Sequence, residues 1–285
     1  MMTNRPILTT FKSRDSHWVG DGFLTQSLLP YQQHAQDTSP FLLAGYNPPM
    51  QFEATPRPKG VGMHPHRGFE TVTIVFQGGV THADTLGNRG DIGPGEVQWM
   101  TAARGVQHEE FHSDLINAKG GTLEMVQLWV NLPAREKLAE PRYQTLSAGQ
   151  IPTVSLEEGG KLRVIAGEFD GAKGPAQTVT PLHLWDVYLQ EGQGFTIDLP
   201  AGQSVSTALL SGGLLLNSAQ GLAGPETVIF TAEAGRIHLT ATDEAHFLVM
   251  AGEPLNEPIA MGGPFVMNSE DELREAYRDF RAGKF

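Results

Sequence analysis

Between Phe69 and Phe76, Val72, Ile74 and Phe76 share one parity and Thr71 and Thr73 the other, the period-two alternation of a half-buried β-strand. Runs of the same kind fall at 96–101, 122–130, 162–166, 185–189, 205–210, 227–230 and 246–250. Gly78-Gly79, Pro94-Gly95, Gly159-Gly160 and Pro200-Ala201-Gly202 separate them as turn signals. Short strands at this spacing predict antiparallel sandwiches or barrels. Near the midpoint the polar stretch 131–141 breaks the alternation, with a proline near each end, and reads as a linker with one helical turn. At the far end the period changes to 3.6. Ser269 and Glu272 form a capping box, and Leu273, Ala276, Tyr277 and Phe280 make the apolar stripe of an amphipathic helix.

The pattern repeats. Gln77-Gly78-Gly79-Val80 returns as Ser211-Gly212-Gly213-Leu214 at an offset of 134, and Trp99-Met100-Thr101-Ala102 as Ile229-Phe230-Thr231-Ala232 at an offset of 130. In that second register Gly105-Val106-Gln107-His108 meets Gly235-Arg236-Ile237-His238. The halves read as diverged copies of one β-barrel, with residues 1–132 forming the first, 133–144 a linker, and 145–285 the second barrel with its C-terminal helix.

Composition narrows the chemistry. Glycine and proline supply 52 of 285 residues, against an expectation near ~12%, and charged residues only 18% against about 25%, which suits short strands and tight turns. A formal charge of −12 without any Lys/Arg-rich stretch argues against direct nucleic-acid binding. Without cysteine, any metal must rest on imidazole and carboxylate. The N-terminus lacks the apolar core of a signal peptide and no apolar run is long enough to span a bilayer, so a cytoplasmic protein without membrane partners is expected.

Two pairs stand out. His64 and His66 are separated by one residue, as are His108 and Glu110, so on extended strands each pair points to one face. Converging in one barrel, they would suit a first-row metal and leave two positions of an octahedral ion open. An isolated His-Pro-His is more often a loop with solvated histidines; the second pair and the repeat are what raise the metal reading. His112 shares the parity of His108 and Glu110 and competes with either as a ligand. His17, His34, His82, His183 and His246 lack such a partner and read as surface or hydrogen-bonded histidines. Trp99 and Met63 are candidates for lining a pocket or for core packing. Arg67 is a candidate to hold an anion or to pair with Glu70.

The run His64-Pro65-His66-Arg67-Gly68-Phe69-Glu70-Thr71-Val72, then 98–105 (QWMTAARG), then His108-x-Glu110, resembles the signature of the pirin family, and so do segments 251–258 and 263–268. The resemblance implies an all-β bicupin: two cupin-type barrels (double-stranded β-helices), short helices and a C-terminal helix. It further implies one divalent metal in the first barrel, held by His64, His66, His108 and Glu110. That metal is Fe(II) in most members; Mn, Ni, Co, Cu or Zn are compatible with the donors. Glu70, where many other cupins place a ligand, is left a supporting hydrogen bond. The offsets send His64, His66 and Glu70 to Asp198, Pro200 and Ser204, and His108 and Glu110 to His238 and Thr240, so the second barrel is expected to be degenerate.

The activity implied is a dioxygenase of the quercetin 2,3-dioxygenase type, taking a small aromatic, flavonol-like substrate and dioxygen. Glu110 would act as the catalytic base for the 3-hydroxyl, and carbon monoxide would be released. The alternative is a metal- or redox-sensing regulator that binds a protein partner such as a transcription factor or metabolic enzyme. A zinc-dependent isomerase or hydrolase ranks third.

Overall fold

The computed structural model describes residues 3–13, 15–30 and 33–285. Two compact units divide the chain. One comprises Asp15–Ser27, Leu42–Ala148 and Asn256–Phe285, and contains the first barrel; the other comprises Met1–Arg14, Leu28–Phe41 and Gly149–Leu255, and contains the second.

The first barrel has a seven-stranded sheet in the order Arg142–Leu146, Val97–Thr101, Phe69–Gln77, Gly121–Asn131, Phe41–Phe52, Phe23–Ser27 and Ser16–Val19. Opposite it lies a four-stranded sheet in the order Gly60–His66, Val106–His112, Val80–Asp84 and Arg89–Ile92. Hydrogen bonds from Thr73 and Gln127 on the large sheet to Glu110 on the small one show that the two sheets face each other. The antiparallel order with non-consecutive neighbours is that of a jelly roll.

Repeated strand for strand, the second barrel has a large sheet running Ile7–Phe11, Glu226–Phe230, Ser204–Ser211, Ala245–Gly252, Leu182–Leu189, Lys161–Ala166 and Thr153–Ser155. Its small sheet runs Gly194–Ile197, Ile237–Ala241, Gly213–Leu216 and Gln220–Ala223. The glycine turn detected as a repeat serves the same purpose in both. Gly78 and Gly212 take φ of +81° and +80°, and a Cβ would lie 2.5 Å from the Thr122 carbonyl oxygen and 1.9 Å from that of Glu244, so only glycine fits.

The units do not end where the alternation suggests, at 132 and 145. Ile7–Phe11 belongs to the second barrel, because its backbone pairs with Glu226–Phe230, Ile7 lying opposite Phe230. The supposed linker holds a short 3-10 turn, Ala134–Glu136, and then joins the first barrel: Arg142–Leu146 pairs with Val97–Thr101 and satisfies its outer edge. The C-terminal helix, Glu270–Arg281, has the expected capping box, with Leu273 and Ala276 buried, yet it packs within the first barrel's unit. Arg67 holds it there by an ion pair to Asp279 at 2.9 Å. Among the described residues no helix is long and apolar enough to cross a membrane.

The second barrel's interior is closed by a continuous apolar core that includes Phe195, Leu214, Leu216, Leu239 and Phe247, all 5% exposed or less. Burying such a side chain stabilises by roughly 1.5–3 kcal/mol. Polar groups occupy the corresponding space in the first barrel.

Candidate metal centre

Strands Gly60–His66 and Val106–His112 run antiparallel with His64 opposite His108 and His66 opposite Val106. Along the second strand Val106, His108, Glu110 and His112 are buried and the residues between them half-buried, so His108 and Glu110 enter the barrel together. A register shift between His108 and Glu110 sets Glu110 opposite Val61. The rings of His64, His66 and His108 converge: their centroids are 4.9, 4.3 and 4.8 Å apart, and one nitrogen of each lies within 4.8 Å of the others.

Each ring is held by its Nδ1. His64 Nδ1 donates to the Gly62 carbonyl at 2.9 Å, and His66 Nδ1 to that of Pro264 at 3.4 Å. His108 Nδ1 meets His82 Nδ1 at 3.2 Å. Carbonyls only accept, so in the neutral ring Nε2 of His64 and of His66 carries the lone pair. His108 Nε2 is buried without a hydrogen-bond partner, an arrangement that costs about 1–3 kcal/mol unless something fills it. Burial drives the pKa of His66 down to about 3, helped by the neighbouring His64 charge, and pushes His108 well below the ordinary value. His66 and His108 kept neutral by burial, with Nδ1 engaged on all three rings, are what a divalent ion requires, so the residues fit the metal.

Glu110 lies beside them, with a carboxylate oxygen within 4.8 Å of a ring nitrogen of His108. Gln127 Nε2 donates to both carboxylate oxygens, at 3.0 and 2.9 Å, and Thr73 Oγ1 donates at 3.3 Å. Burial raises the Glu110 pKa; the Gln127 hydrogen bond, the His64 charge and Thr73 oppose it. A cavity of about 290 Å³ opens onto His64, His66, Glu110 and Gln127, with Phe23 and Trp129 among its apolar walls.

Some positions at the site escaped the sequence reading. His82 is fully buried against His108, and a second trio, His82, His108 and Glu110, also has ligand atoms within 4.8 Å of one another. Its signal was present: His82 and Asp84 form a third pair separated by one residue. Thr73 and Gln127 carried no such signal. His112 is no rival ligand, since its Nε2 engages the Gly22 carbonyl at 2.8 Å and its ring sits between Phe23 and Phe52. Glu70 gives the metal no support: Thr101 Oγ1 donates to it at 2.6 Å, and it alternates with Thr71 and Thr73 on its strand, on the face turned away from Glu110. Trp99, opposite Val72, is fully buried in the core and Met63 is exposed, and neither lines the cavity. Arg67 pairs with Asp279 instead of Glu70. His34, His183 and His246 are hydrogen-bonded as expected, while His17 is exposed at the cavity's rim.

The equivalent positions in the second barrel differ from those that sequence offsets suggested. Phe195 lies opposite Leu239 and Ile197 opposite Ile237, as His64 lies opposite His108 and His66 opposite Val106. Leu214 and Leu216 lie opposite Ala241 and Leu239, as His82 and Asp84 lie opposite Glu110 and His108. The metal-site positions therefore correspond to Phe195, Ile197, Leu239 and Ala241, none of which can ligate. His238 and Thr240 alternate with the buried Ile237, Leu239 and Ala241, and His238 bonds to Thr196 and Thr240.

The Pirin family model matches residues 22–130 and that of the Pirin C-terminal cupin domain residues 184–285. A Pseudomonas aeruginosa protein named "Putative quercetin 2,3-dioxygenase" is 47% identical over 282 residues, covering 99% of this chain and 98% of its own. Human pirin is 39% identical over 233 residues, covering 80% of this chain and 78% of its own. The crystal structure of quercetin 2,3-dioxygenase from Acinetobacter baumannii superposes with a TM-score of 0.97 at 47% identity, covering 99% of both chains. Matched along nearly its whole length in sequence, and at both barrels in structure, the chain belongs to the pirin family.

Proposed function

We propose that this protein is a metal-dependent dioxygenase that cleaves flavonols such as quercetin, with one divalent ion, Fe(II) in the cell, held by His64, His66, His108 and Glu110. The observation that carries the reading is the set of three imidazoles fixed through Nδ1, with the buried His108 Nε2 unpartnered, beside a buried carboxylate in an apolar cavity. The names of the Pseudomonas and Acinetobacter relatives support the substrate class.

An ion bound there supplies Lewis acidity toward a hydroxyl oxygen and electron exchange with dioxygen. The remaining work belongs to side chains. Phe23, Met125 and Trp129 offer flat and apolar walls to aromatic rings and keep water out. At about 290 Å³ the cavity falls just below the ~300–1,000 Å³ usual for small-molecule sites, so it suits one small molecule. Glu110 is the group able to take the 3-hydroxyl proton: burial makes it more basic, and Gln127 and Thr73 fix the direction of its oxygens.

Quercetin absorbance followed in air, with iron-loaded protein against the metal-free form, tests this. Turnover that scales with bound metal is expected. A fully loaded protein that leaves quercetin unchanged would overturn the enzymatic reading and favour a regulatory one.

A further inference from the structure

Resting on the reading that His108 is a ligand, we propose that His82, oriented by Asp84, is a positioning residue that keeps the Nδ1 proton on His108 and so presents its Nε2 lone pair to the metal. The two rings meet Nδ1 to Nδ1 at 3.2 Å, so one nitrogen donates and the other accepts. If His82 donates, the proton of neutral His108 sits on Nε2, where it blocks the metal. If His108 donates, its Nε2 is free and His82 carries its own proton on Nε2.

Asp84 decides between these arrangements. Its Oδ2 lies 3.9 Å from His82 Nε2, too far for a hydrogen bond but close enough in a buried setting to favour an N–H over a lone pair there. The carboxylate cannot swing away. Oδ1 accepts the backbone amides of Leu86 and Asn88, each at 2.9 Å, and Oδ2 accepts Asn88 Nδ2 at 2.7 Å. The Tyr143 ring lies 4.9 Å from the His82 ring at 30°, limiting its rotation. Both His82 and Asp84 have side chains at most 1% exposed, so water does not substitute for either.

The second barrel supports the assignment. Where ligands are replaced by Phe195, Ile197, Leu239 and Ala241, the equivalents of His82 and Asp84 are Leu214 and Leu216. The barrel thus folds with leucine at both places. His82→Leu therefore puts in place the residue that its counterpart carries.

Zinc affinity, measured by chelator competition on the full-length protein, separates positioning from packing. His82→Leu should weaken zinc binding about 10- to 100-fold, the usual cost of losing an outer partner. His82→Asn, whose Oδ1 replaces the accepting Nδ1, should recover most of that loss, and Asp84→Asn should fall between. In zinc-loaded unmodified protein, long-range ¹H–¹⁵N NMR should find the His108 proton on Nδ1. Unchanged affinity in both His82→Leu and Asp84→Asn, no advantage of His82→Asn over His82→Leu, or a His108 proton on Nε2 would each overturn the proposal. Unmodified protein that takes up no zinc would instead sink the metal site itself, and this inference with it.

Discussion

Replacing Gln127 by leucine tests how Glu110 is held. Gln127 is the only side chain that reaches both Glu110 oxygens among the described contacts, and Thr73 alone, at 3.3 Å, would remain. Hydrogen bonds to a charged acceptor are worth about 1.5–3 kcal/mol net, and leucine returns none of this to a buried carboxylate. Among the groups opposing burial, Gln127 has the largest effect on the Glu110 pKa, so its loss drives that pKa further up. The proton then competes harder with the metal. Converted at 1.4 kcal/mol per tenfold, the expected loss of metal affinity is about 10- to 150-fold near neutral pH. Chelator competition gives the affinity, and quercetin turnover per bound metal gives the effect on proton transfer. Urea unfolding of the metal-free variant reports any change in folding. Gln127→Leu with unchanged affinity and unchanged turnover per metal would refute the claim that Glu110 works at the metal.

Three further outcomes are expected. His108→Ala should weaken metal binding beyond the ~10–100-fold typical of outer partners, while His238→Ala, half-buried and bonded to two threonines, should leave it unchanged; equal losses on elemental analysis would contradict this. Lys137 is buried and its Nζ donates to the Gly68 carbonyl, Asn131 Oδ1 and the Val266 carbonyl at 2.7, 2.6 and 3.0 Å, so Lys137→Met strands three acceptors and should cost about 3 kcal/mol in urea unfolding. No loss of stability would show that those contacts are replaceable. Finally, burial lowers the folded-state pKa of His66 to about 3 and of His82 to about 4, below the unfolded 6.5, so between these values the unfolded chain binds more protons and stability falls as pH falls. Metal-free protein should lose up to about 4 kcal/mol from these two groups between pH 6.5 and 5, at about 1.4 kcal/mol per unit each, and His66→Leu should flatten the slope; identical unfolding curves at both pH values would refute it.

The strands were legible because alternation survives even where both faces are covered. What alternation alone does not reveal is which face of Phe69–Gln77 turns inward. Thr73 points to Glu110, whereas Val72 and Ile74 pack on the other side, since an interior built around a charged donor set calls for hydroxyls where an ordinary barrel has aliphatics. Two donor pairs were legible for the same geometric reason, each lying two residues apart on one strand. His82 was passed over because its partner Asp84 was not counted as a pair. The domain limits were hidden because Ile7–Phe11 finds its partner more than 200 residues away, and an edge strand carries no mark of which sheet it completes. In the second barrel, glycine turns and the Trp99 match gave offsets of 134 and 130, while backbone pairing of the small sheets places Phe195 at His64 and Leu239 at His108. A slip of one residue from Leu239 to His238 turns an inward position outward, so the expectation of a degenerate second site was argued from residues that do not occupy the equivalent positions.

The proposed function requires that the first barrel alone hold a metal and that this metal drive flavonol cleavage. The most direct measurement is the carbon monoxide released per quercetin consumed in air by protein whose metal content has been determined in the same sample. One metal per chain, one carbon monoxide per quercetin and none from metal-free protein are predicted. Two tightly bound metals per chain, or a fully loaded protein that consumes no quercetin and releases no carbon monoxide, would contradict it.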